Sequence, residues 1–146
     1  MTMIANIVGY VRKREDEPPS IEIKSVYWDA TLNLDLYSHI IVLWWITERD
    51  NTEDRANLKG KPPVENAEVS GVFATRSPRR PTPIGHTICA IEEIDTESCR
   101  IVIDHMDAFD GTPVIDIKPY LPSSDLVENA QFPIWFKDNV YRYSNQ

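Results

Sequence analysis

Three arginines and three prolines crowd residues 71–85, GVFATRSPRRPTPIG, where Arg76, Arg79 and Arg80 stand among Pro78, Pro81 and Pro83. Each proline fixes its own φ and pushes the residue before it toward extended backbone. The segment is therefore no ordinary helix and has little conformational freedom to lose. A guanidinium is a planar fork that meets a carboxylate or phosphate through two parallel hydrogen bonds. Three of them on a stiff loop make a preset cradle for an anion, in a chain whose formal net charge is −8. A second dense stretch, residues 107–122, DAFDGTPVIDIKPYLP, sets Asp107, Asp110 and Asp116 around an Asp110-Gly111 turn signal. Fixed positive charge in one stretch and carboxylates beside a turn in the other suit a zwitterionic ligand. A turn that only closes a barrel is the plainer reading of the second stretch, and Asp116, Lys118 and Tyr120 exceed what such a turn requires.

The elements that must position these residues read as short strands. Stretches 4–12, 21–27, 40–47, 69–75, 87–94 and 100–103 are rich in Ile, Val, Thr and aromatics. Turn and loop signals separate them at 17–20, 59–63 and 95–98. Residues 50–58 are polar and read as a short helix or a loop. Residues 132–143 read as a C-terminal helix with Pro133 in its first turn. Strands without regularly alternating helices predict a mostly β, single antiparallel β-barrel-like domain with a few short helices over residues 1–146. The five glycines, at 9, 60, 71, 85 and 111, are too dispersed for GxGxxG. A Rossmann cofactor loop and a P-loop are both absent.

Composition narrows the function further. Hydrophobic residues make up 42% and charged residues 26%, the profile of an ordinary folded domain. No apolar run approaches the ~18–20 residues that span a bilayer, and the N-terminus lacks a signal-peptide layout, so no membrane partner and a cytoplasmic location are expected. Cys89 and Cys99 sit ten apart with no CxxC and no neighbouring histidine, so no metal site is expected. The negative charge opposes broad nucleic-acid binding but leaves room for a local basic patch. Arg12-Lys13-Arg14 and the 76/79/80 cluster are the two such patches, the first reading equally as a solvated face. His39 reads as a hydrogen-bonded structural residue, and His105 as a surface residue or one that orients a carboxylate. No Ser-His-Asp arrangement is present, and Ser77, followed by proline, has no base beside it.

ATRSPRRPTPIG and DGTPVIDIKPYLP resemble the two signature stretches of the TsaA-like, or TrmO, family. Tyr37-Ser38-His39 and the opening strand around Gly9 extend the resemblance over residues 4–122. Members of that family are S-adenosylmethionine-dependent tRNA methyltransferases built on a β-barrel. The resemblance implies that the cofactor is held by Arg76, by His86 after the PIG glycine, by Phe109, Asp110, Gly111 and Thr112, by Thr47 and Glu48, and by a proline-led turn at Pro18, Pro19 and Ser20. This chain has Thr47-Glu48 where the family has His-Gln, Thr82 where it has Asn, and His86 where it has an aliphatic residue. The residue chemistry fits such a cofactor: Arg76 for the carboxylate, Asp110 for the ammonium or ribose diol, and Ile84 with Phe109 for the adenine.

The resulting expectation is methyl transfer to N6 of threonylcarbamoyladenosine at position 37 of tRNA, with Arg79 and Arg80 meeting a phosphate or the threonylcarbamoyl carboxylate. Methyl transfer from a sulfonium needs alignment and exclusion of water, not a covalent enzyme intermediate, so no catalytic residue is named. A non-catalytic S-adenosylmethionine sensor on the same barrel is the second reading. An exposed Pro78-x-x-Pro81 ligand for an SH3-like partner is the third. The resemblance implies a homodimer, for which exposure of Trp44, Trp45 or Trp135 would supply the surface.

Overall fold

The structure is a computed structural model and describes residues 1–136. Eight strands follow in chain order: β1 Gly9–Arg12, β2 Ser20–Ile23, β3 His39–Trp45, β4 Lys59–Gly60, β5 Ser70–Gly71, β6 Ile84–Asp95, β7 Arg100–Ile103 and β8 Pro113–Pro119. The chain divides into two compact units, one made of Met1–Thr47 with Ile84–Tyr120, the other of Glu48–Pro83 with the chain from Leu121 onward.

In the first unit six strands pair antiparallel in the closed order β1-β2-β7-β6-β3-β8, with Gly9 and Tyr10 of β1 opposite Val114 and Pro113 of β8. The expected mostly β, non-Rossmann fold is what these strands form. Alternation drives it: Ile40 and Val42 of β3, Thr87 and Cys89 of β6, and Ile101 and Ile103 of β7 point inward and are buried. β6 is 12 residues long, so its first half pairs with β3 and its second with β7, through an irregularity between Ile91 and Glu93. Val11, Ile21, Ile23, Met106, Ala108 and Val114 complete the core.

Two expected strands end early. Stretch 21–27 leaves the sheet after Ile23 and continues as a 3₁₀ helix, Ser25–Thr31. Stretch 69–75 is strand only at Ser70–Gly71, then turns through a 3₁₀ helix at Val72–Ala74 that leaves Phe73 exposed. Conversely β8 is a strand where the sequence reading saw a turn-rich segment. Its two prolines sit at its first and last positions, where a strand tolerates a missing N–H.

The second unit holds the two-stranded ribbon β4–β5, with Lys59 opposite Gly71 and Gly60 opposite Ser70. The polar stretch 50–58 does carry a short helix, α1 Thr52–Arg55, and the chain after β8 begins with α2 Pro122–Asp125. The expected C-terminal helix shows only a 3₁₀ turn, Ile134–Phe136, and the rest of it lies outside the described residues. No helix among the described residues is long and apolar enough to cross a membrane.

Candidate functional site

The strand pairings put most of the expected cofactor residues at one end of the barrel. β1, β3 and β7 finish there, and β2, β6 and β8 begin there. Pro18, Pro19 and Ser20 lead into β2, Thr47 follows β3, His86 lies near the start of β6, and Phe109–Asp110–Gly111–Thr112 lead into β8. His86 is exposed on the outer face of β6, because the inward places on either side of it go to Gly85 and Thr87.

The Asp110 turn is held from three sides. Thr112 N–H donates to the Phe109 carbonyl (3.2 Å), and Gly111 sits at φ +82°. Glycine alone takes that conformation without strain. Gly111 N–H donates to the Val11 carbonyl (2.8 Å), and Lys13 N–H donates to Asp110 Oδ1 (2.8 Å). The Lys13 ammonium donates to the Met106 carbonyl (2.9 Å). So the β1 terminus clamps the loop before β8, leaving Asp110 Oδ2 unused among the described residues and Phe109 62% exposed. The Arg12–Arg14 patch thus includes one residue, Lys13, with structural work to do; Arg12 pairs with Glu22 (3.2 Å).

The glycine of the PIG motif is explained by packing. A Cβ at Gly85 would stand 2.5 Å from the Trp44 indole. Trp44 Nε1–H donates to Thr87 Oγ1 (3.1 Å), and Thr87 Oγ1–H points to Met106 Sδ (3.6 Å). This chain of contacts joins β3 and β6 to the loop that Lys13 holds. Trp44 is accordingly packed against the core, and neither it, Trp45 nor Trp135 is exposed. All three are part-buried, so the exposure expected of them for a second subunit is not met. Cys89 is a fully buried core residue, its thiol pushed up to about 12 by burial and then by Asp104 and Asp107. Asp104, next to it, loses ionisation to burial but gains more from the Ala90 N–H (2.8 Å) and His105 (2.9 Å), which hold its carboxyl below the usual range. The carboxylate beside His105 is that of Asp104, 2.9 Å from its Nδ1. His39 is hydrogen-bonded to Ser38 (2.7 Å) and edges onto Tyr120, as a structural histidine would.

In the second unit the three arginines of the proline-rich loop divide their work. Arg79 Nε–H donates to Asp54 Oδ1 (2.6 Å), and Arg49 stands 3.5 Å from the other oxygen. Asn51 caps α1: its side chain accepts from Asp54 N–H (2.8 Å) and donates to Asp54 Oδ2 (2.9 Å). The Asn51 hydrogen bond first and the Arg79 bond second hold the Asp54 carboxyl below the ordinary carboxylate range. Asn57 donates to the Arg79 carbonyl (2.9 Å) and Arg55 to the Pro81 carbonyl (2.9 Å). Arg80 donates to the carbonyls of Thr75 (3.0 Å) and Ser77 (3.1 Å). The loop is therefore braced from within by side chains of residues 51–57 as well as by its prolines. Arg76 differs from its neighbours: it is exposed and pairs with none of the described residues.

The sequence reading missed Lys13, Asn51, Asp54 and Asn57. An Asn-x-x-Asp spacing before a polar stretch is a readable helix cap; the partner of Asp54, 25 residues away, was not readable. Among the described residues no group of three His, Cys, Asp or Glu converges as a metal site.

The first unit is a closed antiparallel barrel with a clamped Asp-Gly turn at one end, a class of fold unlike the parallel Rossmann sheet. The chain belongs to the family of the tRNA-methyltransferase O N-terminal domain, whose model matches residues 11–126. A "probable S-adenosyl-L-methionine-binding protein" of Archaeoglobus fulgidus is 40% identical over 125 residues, 84% of this chain and 31% of its own. An "S-adenosyl-L-methionine-binding protein" of the same organism is 40% identical over 116 residues, 80% of this chain and 78% of its own. The tRNA (adenine(37)-N6)-methyltransferase of Homo sapiens is 36% identical over 105 residues, 72% of this chain but 23% of the human enzyme. A crystal structure of TrmO superposes with a TM-score of 0.71 at 30% identity, covering 92% of this chain and 64% of that one. Some of these relatives are thus much longer than the stretch they share with this chain.

Proposed function

We propose that the protein is an S-adenosylmethionine-dependent methyltransferase acting on N6 of an adenosine in tRNA, with threonylcarbamoyladenosine at position 37 as the acceptor. The match over residues 11–126 to a tRNA-methyltransferase domain carries this reading. The residues fit the cofactor: Arg76 has a guanidinium with no protein partner among the described residues, and the space around Gly111 is open, since a Cβ there would meet nothing within 4 Å. Arg76 is the proposed partner of the carboxylate, and Asp110 Oδ2 the acceptor for ammonium or diol. Phe109 and Ile84 are the apolar surface for adenine, with Pro18–Ser20, Thr47, Glu48, His86 and Thr112 completing the set. The cofactor supplies an electrophilic methyl group on a sulfonium. The protein's contribution is to hold the acceptor nitrogen in line and keep water out. Arg79 and Arg80 remain the proposed contacts to a phosphate or to the threonylcarbamoyl carboxylate, through guanidinium nitrogens that the loop does not use.

The test is transfer of a labelled methyl group from S-adenosylmethionine to tRNA, read by nucleoside mass spectrometry. The second reading, a sensor without catalysis, draws on the Archaeoglobus relative of similar length that is named only for binding. Tight cofactor binding with no methyl acceptor in total tRNA decides for it. A cytoplasmic homodimer completes the proposal. Ile88, exposed on the outer face of β6, is the apolar side chain offered for pairing, and light scattering on the purified protein measures it.

A further inference from the structure

The Glu48–Pro83 stretch contains a cleft of about 240 Å³ whose lysine side the proposed methyl transfer has not drawn on. Lys59, Lys61 and Arg79 line it, together with Asn57, Ser77 and stiff proline walls, and no acidic residue is among its lining. That is notable in a chain with 23 acidic and 15 basic side chains. Lys59 begins β4 and Lys61 directly follows its last residue, and both line the cleft. Both lysines are exposed, and neither forms an ion pair with the described residues, although the same stretch pairs Arg49, Arg55 and Arg79 with carboxylates. Ser77 Oγ already accepts from Arg79 N–H (3.3 Å), which leaves its own proton to donate. Two unpaired ammonium groups, a hydroxyl donor and rigid walls are the chemistry of a phosphate site. The cleft is smaller than the roughly 300–1,000 Å³ of sites that enclose a whole small molecule. A phosphodiester group suits it better than a nucleotide.

We propose that the Lys59–Lys61 cleft takes a backbone phosphate of the RNA substrate. This rests on the tRNA methyltransferase function proposed for the chain, and adds to it two lysines, Lys59 and Lys61, that face the arginine loop's Ser77 and Arg79 across the cleft. It gives an acidic protein a local hold on RNA without making its whole surface attractive to nucleic acid.

The test compares the wild type with a Lys59→Gln/Lys61→Gln double variant by fluorescence anisotropy on labelled tRNA, from about 50 to 200 mM salt. Calorimetric titration with S-adenosylmethionine checks that the variant is folded. The expected result is a drop of more than about tenfold in tRNA affinity at about 0.1 M salt, and a log–log salt slope flattened by roughly 0.7–0.9 for each phosphate that is no longer neutralised. The KM for tRNA rises with it. Unaltered affinity and slope overturn the proposal while leaving methyl transfer intact. The expected binding change in a wild type that methylates no tRNA overturns the proposed reaction but supports the cleft. Inorganic phosphate is the second probe. If it binds the wild type but not the variant, and tRNA binding is the same in both, the occupant is a free phosphate and the RNA assignment falls.

Discussion

At the scale of single residues the division of labour within one loop is the informative fact. Arg79 and Arg80 are committed to Asp54 and to backbone carbonyls, whereas Arg76 is exposed without a protein partner among the described residues. Arg76→Ala should therefore fold normally and weaken S-adenosylmethionine binding by roughly 1.5–3 kcal/mol, the worth of a hydrogen-bonded charge, or about one to two decades in Kd. Calorimetry gives the number, and an unchanged Kd removes Arg76 from the site. Asp54 belongs to the loop's support. Its carboxyl is held below the ordinary value of 3.8, so its contribution is fully present above that value and is lost as pH falls through the lower, folded value. Protection of the Ser77 and Arg79 amides, relative to intrinsic exchange at the same pH, should hold at neutral pH in the wild type and fall only in acid, as pH drops through the lowered Asp54 value. In Asp54→Asn protection should be several-fold weaker at neutral pH, and the difference from the wild type should disappear in acid. Equal protection in the two proteins at neutral pH would show that the clasp does not order the loop.

At the scale of elements, two glycines set the barrel end. Gly85→Ala places a methyl group against Trp44, whose indole is already fixed to Thr87. Overpacking of that kind costs roughly 1–3 kcal/mol, visible as a lowered urea midpoint with little change in m. Gly111→Ala has room but the wrong φ, a strain of roughly 1–3 kcal/mol. Because Gly111 N–H also holds the loop to Val11, this variant should loosen Asp110 and weaken cofactor binding, which Gly85→Ala should do less. The sequence made the strands β1, β3, β6 and β7 legible, since β3, β6 and β7 are rich in β-branched residues and β1 carries Tyr10-Val11. It hid β8, whose terminal prolines read as turn signals although both sit where a strand tolerates them. Residues 69–75 misled in the opposite direction: valine, phenylalanine and threonine suggested strand, yet Val72–Ala74 turn as a 3₁₀ helix with Phe73 in solvent. The motif residues were legible as chemistry. What braces them was not, because Lys13 reaches Asp110 across 97 positions and Arg79 reaches Asp54 across 25.

At the scale of the whole molecule the proposed function raises the question of how a protein of net charge −8 would select an RNA. General attraction to phosphate is not available to it, because affinity driven by counterion release needs a broad basic surface. Recognition must then come from a few placed cations and from the modified base itself. The threonylcarbamoyl group carries a carboxylate. A site that hydrogen-bonds a substrate group rejects the analogue lacking it far more strongly than a purely apolar pocket can, because its buried polar groups are left unpaired. The protein should therefore methylate tRNA bearing threonylcarbamoyladenosine and pass over the same tRNA with unmodified adenosine, by at least about a hundredfold in kcat/KM. Nucleoside mass spectrometry after incubation with labelled cofactor, on tRNA from cells with and without the threonylcarbamoyl modification, measures this directly. Equal methylation of both would mean that the threonylcarbamoyl carboxylate is not read, and would leave Arg79 and Arg80 with phosphate alone as their proposed contact.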